Sequence, residues 1–571
     1  MYPVDERLNI ATKRSQILEF PTEILQQIFL LVCRSSGNTP CTRSSVMILS
    51  HVCSRWRHIA LGYSPLWTFF TNADFCHHRW MSTVIQRSGS CSLSINFRSS
   101  WFLDEQLEMI HSLPRVKKIF FFSDYWMVDR LLSSAKWAPD LETLQLCVGD
   151  AEDCETPMTY SVGSHYIARV NEQHLPNLPF FGDVYTLYYD QAPTLRHISL
   201  TNCCIRPAIK SSPSLERLEI SHGPCGLGHF VSDWAAIIRC LPSLTFLSID
   251  GAMTRDPSYR RTEYNLLTEL PPVTQLKDLR INRCSLACAS LLHIFAPQPR
   301  SLQLTFTDAH YNEEFNLFCD ALQVWFRGWG ADTPNTYLYV SIQPEGIIVH
   351  NRSTRQEFIS TYVESSPSLQ LALYWQAGYA GEKELDLISA TMNLISTLEP
   401  HPDSTFYSLT SPLTRGCEEL ELSVGLFDYE DEALRTVITG FLSRFRDVKK
   451  LTCIGGAAAM LTLLAPEARQ VGDVSLFPLL EYFCFDHVDF KDGLGKKLEH
   501  FLRSHAKLRQ SVGHVALNGC HNVSQRFFTS LGRTCTKVVL GHDTVLVDDY
   551  RGNVTGTREP WTNDQAKVSS L

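Results

Sequence analysis

The phrase L-x-x-L-x-L-x-x-C-x-L, with Ile allowed for Leu, occurs twice in this 571-residue chain, as LRHISLTNCCI from Leu195 and as LKDLRINRCSL from Leu276. Apolar residues two apart share one face of a strand, and a phrase this short cannot bury that face alone. Partial copies are VKKIFFFSD from Val116, LETLQLCVG from Leu141, LERLEISHG from Leu215, LTFLSIDGA from Leu244, LEYFCFDHV from Leu480 and VGHVALNGC from Val512. The starts at 116, 141, 195, 215, 244 and 276 are 25, 54, 20, 29 and 32 residues apart. These intervals bracket a period of roughly 20 to 29 residues, with the longest read as two periods. Neighbouring phrases then pair as strands while the connections between them carry helices, as SDWAAIIRCLPSL from Ser232 suggests.

Residues 307–412 fit the phrase poorly. EEFNLFCDALQVWFRGW has helical periodicity, TYLYVSI and GIIVH read as strands around QPE, and LEPHPDSTFYSLTSPLT reads as an irregular loop. This segment is either degenerate repeats or an insertion. The phrasing resumes with CEELELSV at Cys417 and VKKLTCIGG at Val448, and the chain beyond residue 541 is a polar tail.

The front of the chain is different. In FPTEILQQIFLLVCRSS, residues 20–36, Pro21 suits a first helical turn and Glu23 complements the helix dipole. Ile24, Leu25, Ile28, Phe29, Leu31 and Val32 then make a wide apolar face, ended by Gly37 and Pro40. A second helix is expected from Ser45 to Leu61, on the spacing of Val46, Leu49, Cys53, Trp56 and Ala60, with Gly62 and Pro65 as stops. Two short helices and an apolar Trp67 hold too little core to stand alone, so they need a surface to pack on.

The string FPTEIL..IF, followed by L..VCSRWR..A....LW, resembles the F-box, a helical module that docks on a Skp-type adaptor. The resemblance covers about residues 17–70 and implies adaptor contacts at Pro21, Ile24, Leu25, Ile28, Val52, Cys53, Trp56 and Trp67, with Phe20 standing where the family most often has Leu. The long connection CRSSGNTPCTRSS also departs from the family pattern. The chain as a whole is similar to the leucine-rich-repeat subclass of F-box proteins. The expected fold class is therefore α/β, a short helical F-box module followed by an irregular leucine-rich-repeat solenoid. Its expected parts are an N-terminal tail over 1–16, the module over 17–70, a connecting region over 71–105, the array over 106–540 and the tail over 541–571. The competing reading makes the two helices a cap on the next domain.

Composition narrows the partner. Hydrophobic content of 44% with 19% charge is that of a folded soluble chain, and a net charge of −9 without a Lys/Arg block argues against nucleic acid. No run of 18 apolar residues is present and the N-terminus is polar, so an intracellular chain is expected, cytoplasmic or nuclear, with no membrane. Nineteen cysteines spread over the whole length read as reduced thiols, and three N-x-S/T triplets are attributed to chance.

Catalytic motifs are missing. There is no G-x-S-x-G and no H-E-x-x-H, and DGLGKK at 492–497 lacks the spacing and hydroxyl of a phosphate loop. Cys284, Cys288 and His293 have a usable spacing but no fourth ligand nearby, FCHHRW at 75–80 reads as a solvated turn, and DYEDE at 428–432 as a solvated acidic face. No metal or cofactor is expected, and no enzyme. The expected function is the substrate-recognition subunit of a Skp-cullin-F-box ubiquitin ligase, holding the adaptor, and through it a cullin, by the F-box and a target protein by the repeats. Arg196, Glu219 and Arg280 are the candidate target contacts. The alternatives are a scaffold without ligase activity and an enzyme whose site lies in 307–412.

Overall fold

The computed structural model describes residues 20–35, 42–71, 78–98, 115–123, 140–148, 193–201, 213–221, 231–251, 275–295, 299–306, 313–328, 337–343, 346–351, 368–374, 388, 416–424, 432–457, 476–491, 493–508, 512–541, 544 and 546–547. The chain forms two compact units, Met1–Glu263 with Val273–Leu276, and Tyr264–Pro272 with Lys277–Leu571. The expected tail over 1–16 lies outside the described residues, as does that over 541–571 apart from residues 541, 544, 546 and 547.

The first unit opens with helices α1 (Thr22–Ser35), α2 (Thr42–Val52) and α3 (Ser54–Gly62), then a 3-10 turn at Ser64–Trp67. The single helix expected over Ser45–Leu61 is two, because Cys53 is fully extended at φ −158°, ψ 171° and its sulfur accepts from the Trp56 backbone N–H at 3.4 Å. A side-chain acceptor at that position starts a new helix instead of continuing the old one.

Strands β1 (Phe69–Thr71), β2 (Leu93–Arg98), β3 (Val116–Ser123), β4 (Thr143–Val148), β5 (His197–Thr201), β6 (Arg217–Ser221) and β7 (Phe246–Asp250) follow. Each pairs in parallel with the next in chain order. The apolar positions of the phrase explain this. Leu144 and Leu146, Ile198 and Leu200, Leu218 and Ile220, Leu247 and Ile249 are all buried and fall in lateral register, so each strand completes the core of its neighbour. The leading residues Leu141, Leu195, Leu215 and Leu244 are buried just ahead of their strands. Each such side chain removed from water contributes on the order of 2 kcal/mol.

Two further helices belong to this unit, α4 (His78–Arg87) and α5 (Val231–Arg239), the latter within the connection that the sequence marked as helical. The turn expected at 75–80 is helix from His78 onward, and Cys76 and His77 lie outside the described residues.

In the second unit β8 (Asp278–Cys284) and β9 (Ser301–Phe306) pair in parallel. After α6 (Glu313–Gly328), strands β10 (Tyr337–Gln343), β11 (Gly346–His350) and β12 (Ser368–Tyr374) form an antiparallel set. The poorly fitting segment is thus continuous with the sheet: β12 pairs in parallel with β9, and β10 in parallel with β13 (Glu419–Val424). Beyond it β14 (Lys450–Gly455), β15 (Tyr482–Asp486), β16 (His514–Asn518) and β18 (Lys537–Leu540) continue the parallel pairing, while β17 (Val523–Ser524) and β19 (Leu546–Val547) pair apart from it. Helices α7 (Glu432–Leu442), α8 (Leu494–Leu508) and α9 (Gln525–Thr534) lie in the connections.

Candidate functional site: the N-terminal helical surface

Helix α1 starts one residue later than a proline at its first position would place it. Pro21 stands just outside, and its carbonyl accepts from the N–H groups of Ile24 at 3.1 Å and Leu25 at 3.2 Å. The wide apolar face of α1 is divided. Leu25, Phe29, Leu30 and Cys33 are buried, whereas Ile24, Leu31 and Val32 are exposed and Ile28 is half-buried. Helix α2 divides in the same way, with Val46 and Leu49 buried and Met47, Ile48 and Val52 exposed. Ile48 and Leu31 keep 66% and 65% of their surface in water, and Val52 55%.

The interior of the module is tied by specific contacts. Phe29 of α1 packs on Trp56 of α3 with ring centroids 4.9 Å apart, and the Arg55 guanidinium donates to the Phe20 carbonyl at 2.7 Å. The Trp67 indole donates from Nε1 to the Ala60 carbonyl at 2.9 Å, with the Arg87 guanidinium over its ring and Trp80 beside it. Trp67 therefore joins α3 to α4.

The residues expected to touch an adaptor thus fall into three groups. Phe20, Pro21, Ile24 and Val52 are exposed. Ile28, Cys53 and Trp56 are half-buried, Cys53 capping α3 with its sulfur. Leu25 and Trp67 are buried and serve the module's own core. Leu31, Met47, Ile48 and Val32 widen the exposed surface beyond the motif. Their signal in the sequence is an apolar stripe broader than burial against one neighbour requires.

The candidate target contacts are dispersed. Arg196 precedes β5 and does not lie within it; it is exposed and paired with Glu216 at 3.4 Å. Glu219, on β6, is half-buried and paired with Arg217, whose guanidinium lies over the Phe246 ring at 3.8 Å. His197 Nε2 stands 3.7 Å from the same carboxylate. Burial pushes the Glu219 carboxyl up, but His197 and Arg217 more than offset this and leave its pKa at about 2. Arg280 is exposed on β8 in the second unit.

Other chemistry-bearing residues serve the fold. Cys284 and Cys288 are buried, the Cys284 thiol donates to the Asn282 carbonyl at 3.2 Å, and burial pushes the Cys288 thiol well above its usual range. Burial lowers His293 to about 4. Among the described residues no three His, Cys, Asp or Glu side chains converge as a metal site, and no helix is long and apolar enough to cross a membrane. Within DGLGKK, Gly493 precedes α8 and the lysines lie on that helix; of DYEDE only Glu432 is described. No protein-family model matches the chain, and no curated protein matches it.

Proposed function

We propose that the chain is an F-box protein with leucine-rich-repeat-like strands stacked as a solenoid, acting as the substrate-recognition subunit of a Skp-cullin-F-box ubiquitin ligase. The observation that carries this reading is the apolar surface that α1 and α2 leave in water: Phe20, Ile24, Leu31, Val32, Met47, Ile48 and Val52. Large apolar side chains left in water on two neighbouring helices are a mark of protein docking. It lies on the module whose sequence carries the F-box resemblance, and the buried partners Leu25, Phe29, Val46 and Leu49 give it a firm base.

In this role the chain needs no nucleophile. It holds the adaptor at one surface and a target at another, so that a ubiquitin-charged enzyme acts by proximity. The exposed faces of the parallel strands and the residues leading into them are the proposed target surface, with Arg196, Glu219 and Arg280 as candidates. Of these Glu219 is already engaged by Arg217 and His197.

The test is capture of a Skp-type adaptor and a cullin by the full chain, side by side with the Ile24→Asp variant. Retention of both by the wild-type chain and loss of both by the variant supports a ligase receptor. Adaptor without cullin points to the scaffold reading, and capture of neither removes the F-box assignment.

A further inference from the structure

Strand β18 is paired on one side. Among the described residues β16 is its single strand neighbour, in parallel register from His514 opposite Lys537 to Leu517 opposite Leu540. The Lys537 N–H donates to the Gly513 carbonyl at 2.9 Å, and the Gly541 N–H to the Leu517 carbonyl at 2.7 Å. Backbone groups alternate in direction along a strand, so residues 537, 539 and 541 face β16 while the N–H and C=O groups of Val538 and Leu540 point to the open side. The side chains agree. Val515 and Leu517 of β16, like Phe483 and Phe485 of β15, are wholly buried with a paired strand on each side. Their register partners Val538 and Leu540 are only half-buried, and Val539 on the other face keeps 39% of its surface in water. An open edge is ordinarily blunted by charge, proline or a bulge, and in β18 only Lys537, its first residue, does so. The surroundings are cationic in a chain of net charge −9: residues 512–541 hold Arg526, Arg533 and Lys537, all exposed, and no Asp or Glu.

We propose that β18 receives an added strand from a partner protein, an extended segment with alternate apolar residues and carboxylates at one end. The main chain of that segment bonds the outward groups of Val538 and Leu540, and its apolar residues complete the cover that a following strand would give their side chains. Its carboxylates meet Lys537 and Arg533, the latter in the last turn of the helix that leads into β18. Charge decides between occupants. Two copies of this chain meeting edge to edge would set these cations against each other, whereas an acidic segment pairs with them. The inference goes beyond the ligase reading and does not depend on it, since it uses neither α1 nor α2.

The probe is a blocked peptide of glutamates followed by alternating Val and Thr, made in forward and in reversed order and titrated calorimetrically into the full chain. One order should bind, and the same peptide with lysine for glutamate should bind at least about tenfold more weakly. Reversing the protein charges with Lys537→Glu and Arg533→Glu should invert that preference. Hydrogen exchange at the Val538 and Leu540 amides should slow on adding the acidic peptide, while Val539, already bonded to β16, should change little. Val538→Pro deletes an outward N–H without touching the bonds to β16 and should abolish binding. N-methylation at alternate peptide residues removes the matching donors from the other side and gives the same answer should that variant fail to fold. Absence of binding by either acidic peptide at about 1 mM overturns the proposal, as does equal binding of the lysine peptides. Slow exchange of Val538 and Leu540 in the free chain would show that the edge is already covered, and self-association abolished by Val538→Pro would give it to a second copy; either result overturns the proposal.

Discussion

The Arg115 guanidinium donates from Nη2 to the hydroxyl of Ser88 at 2.9 Å, and Ser88 is fully buried. The same nitrogen donates to the Ile85 carbonyl at 3.0 Å, and Nη1 donates to the Cys91 carbonyl at 2.9 Å. One side chain at the entry to β3 thus collects the carbonyls at the end of α4 and fixes the turn into β2. With Trp67 joining α3 to α4, the helical module continues into the sheet through named contacts, and β1 pairs directly with β2.

Arg115→Met should therefore destabilise the first unit by about 2–3 kcal/mol, because three charge-assisted bonds are lost and the Cys91 carbonyl is left without its donor, while the Ser88 hydroxyl still donates to the Ile85 carbonyl. Denaturant titration measures the total. Hydrogen exchange should localise it to 84–94, and uniform exchange with unchanged stability would show that the clamp carries no load.

A second prediction concerns backbone conformation. Gly251, Arg283, Gly455, His487 and Gly519 all have φ between 53° and 61°, at or just past the ends of β7, β8, β14, β15 and β16. The recurrence is a structural repeat that the apolar phrase only partly encodes, since glycine fills just some of its copies. At Gly519 a Cβ would lie 3.1 Å from His487 Cδ2 and Nε2. Gly519→Ala should cost about 1–2 kcal/mol from the left-handed backbone plus that close approach. His487→Gly should be neutral or stabilising, and the opposite ranking in thermal unfolding would contradict this account.

Glu219 predicts a pH dependence. Its folded pKa of about 2 lies below the ordinary carboxylate value near 4.5, so the stabilisation is present above that value and is lost as pH falls from about 4.5 through 2. Glu219→Gln should flatten the stability profile across that window by on the order of 2 kcal/mol, after allowance for partial exposure. Parallel profiles for the two proteins would show that Arg217 and His197 do not hold the carboxylate.

The cysteines offer a chemical test. The described ones form no disulfide, and burial raises the thiols of Cys33 and Cys535 to about 11, and that of Cys453 well above its usual range. Burial, with Asp447 and Glu419 adding to it, raises Cys417 to about 12. A thiol reagent at pH 8 should reach these four only as fast as the chain opens, and should label them promptly in denaturant. Rapid labelling of the native chain would mean that these positions are not closed.

What the sequence made legible follows from period. Every quoted phrase, from Val116 to Val512, contains a strand, because alternation with buried leucines has no other use at that spacing. The helix over 313–328 and the strands around QPE were equally readable, but not their place in the sheet: β10 reaches β13 and β12 reaches β9 through pairings that local pattern does not encode. The break at Cys53 was hidden because a thiol is an uncommon helix cap and the apolar spacing runs straight through it. Likewise, sequence spacing identified an apolar stripe on α1 without saying which half faces inward. Leu25 and Ile24 are neighbours of equal hydrophobicity, and only packing against α2 and α3 separates them.

That separation yields the last prediction. Ile48 is 66% exposed and Leu25 fully buried, so the same charge placed at each should act on different quantities. Ile48→Asp leaves the core intact and keeps its carboxylate hydrated in the free chain, so stability should change by less than about 0.5 kcal/mol. If an adaptor covers the patch, that carboxylate must lose water without gaining a partner, and affinity should fall by several kcal/mol, a hundredfold or more. Leu25→Asp places a charge at a fully buried position of the module and should unfold it before any partner is added. Circular dichroism and hydrogen exchange over 20–62 measure the folding effect, and calorimetry with the purified adaptor measures the other. An Ile48→Asp chain that is folded and binds adaptor as tightly as the wild type would exclude the α2 side of the patch from the interface. Docking would then be confined to Phe20, Ile24, Leu31 and Val32 on and beside α1.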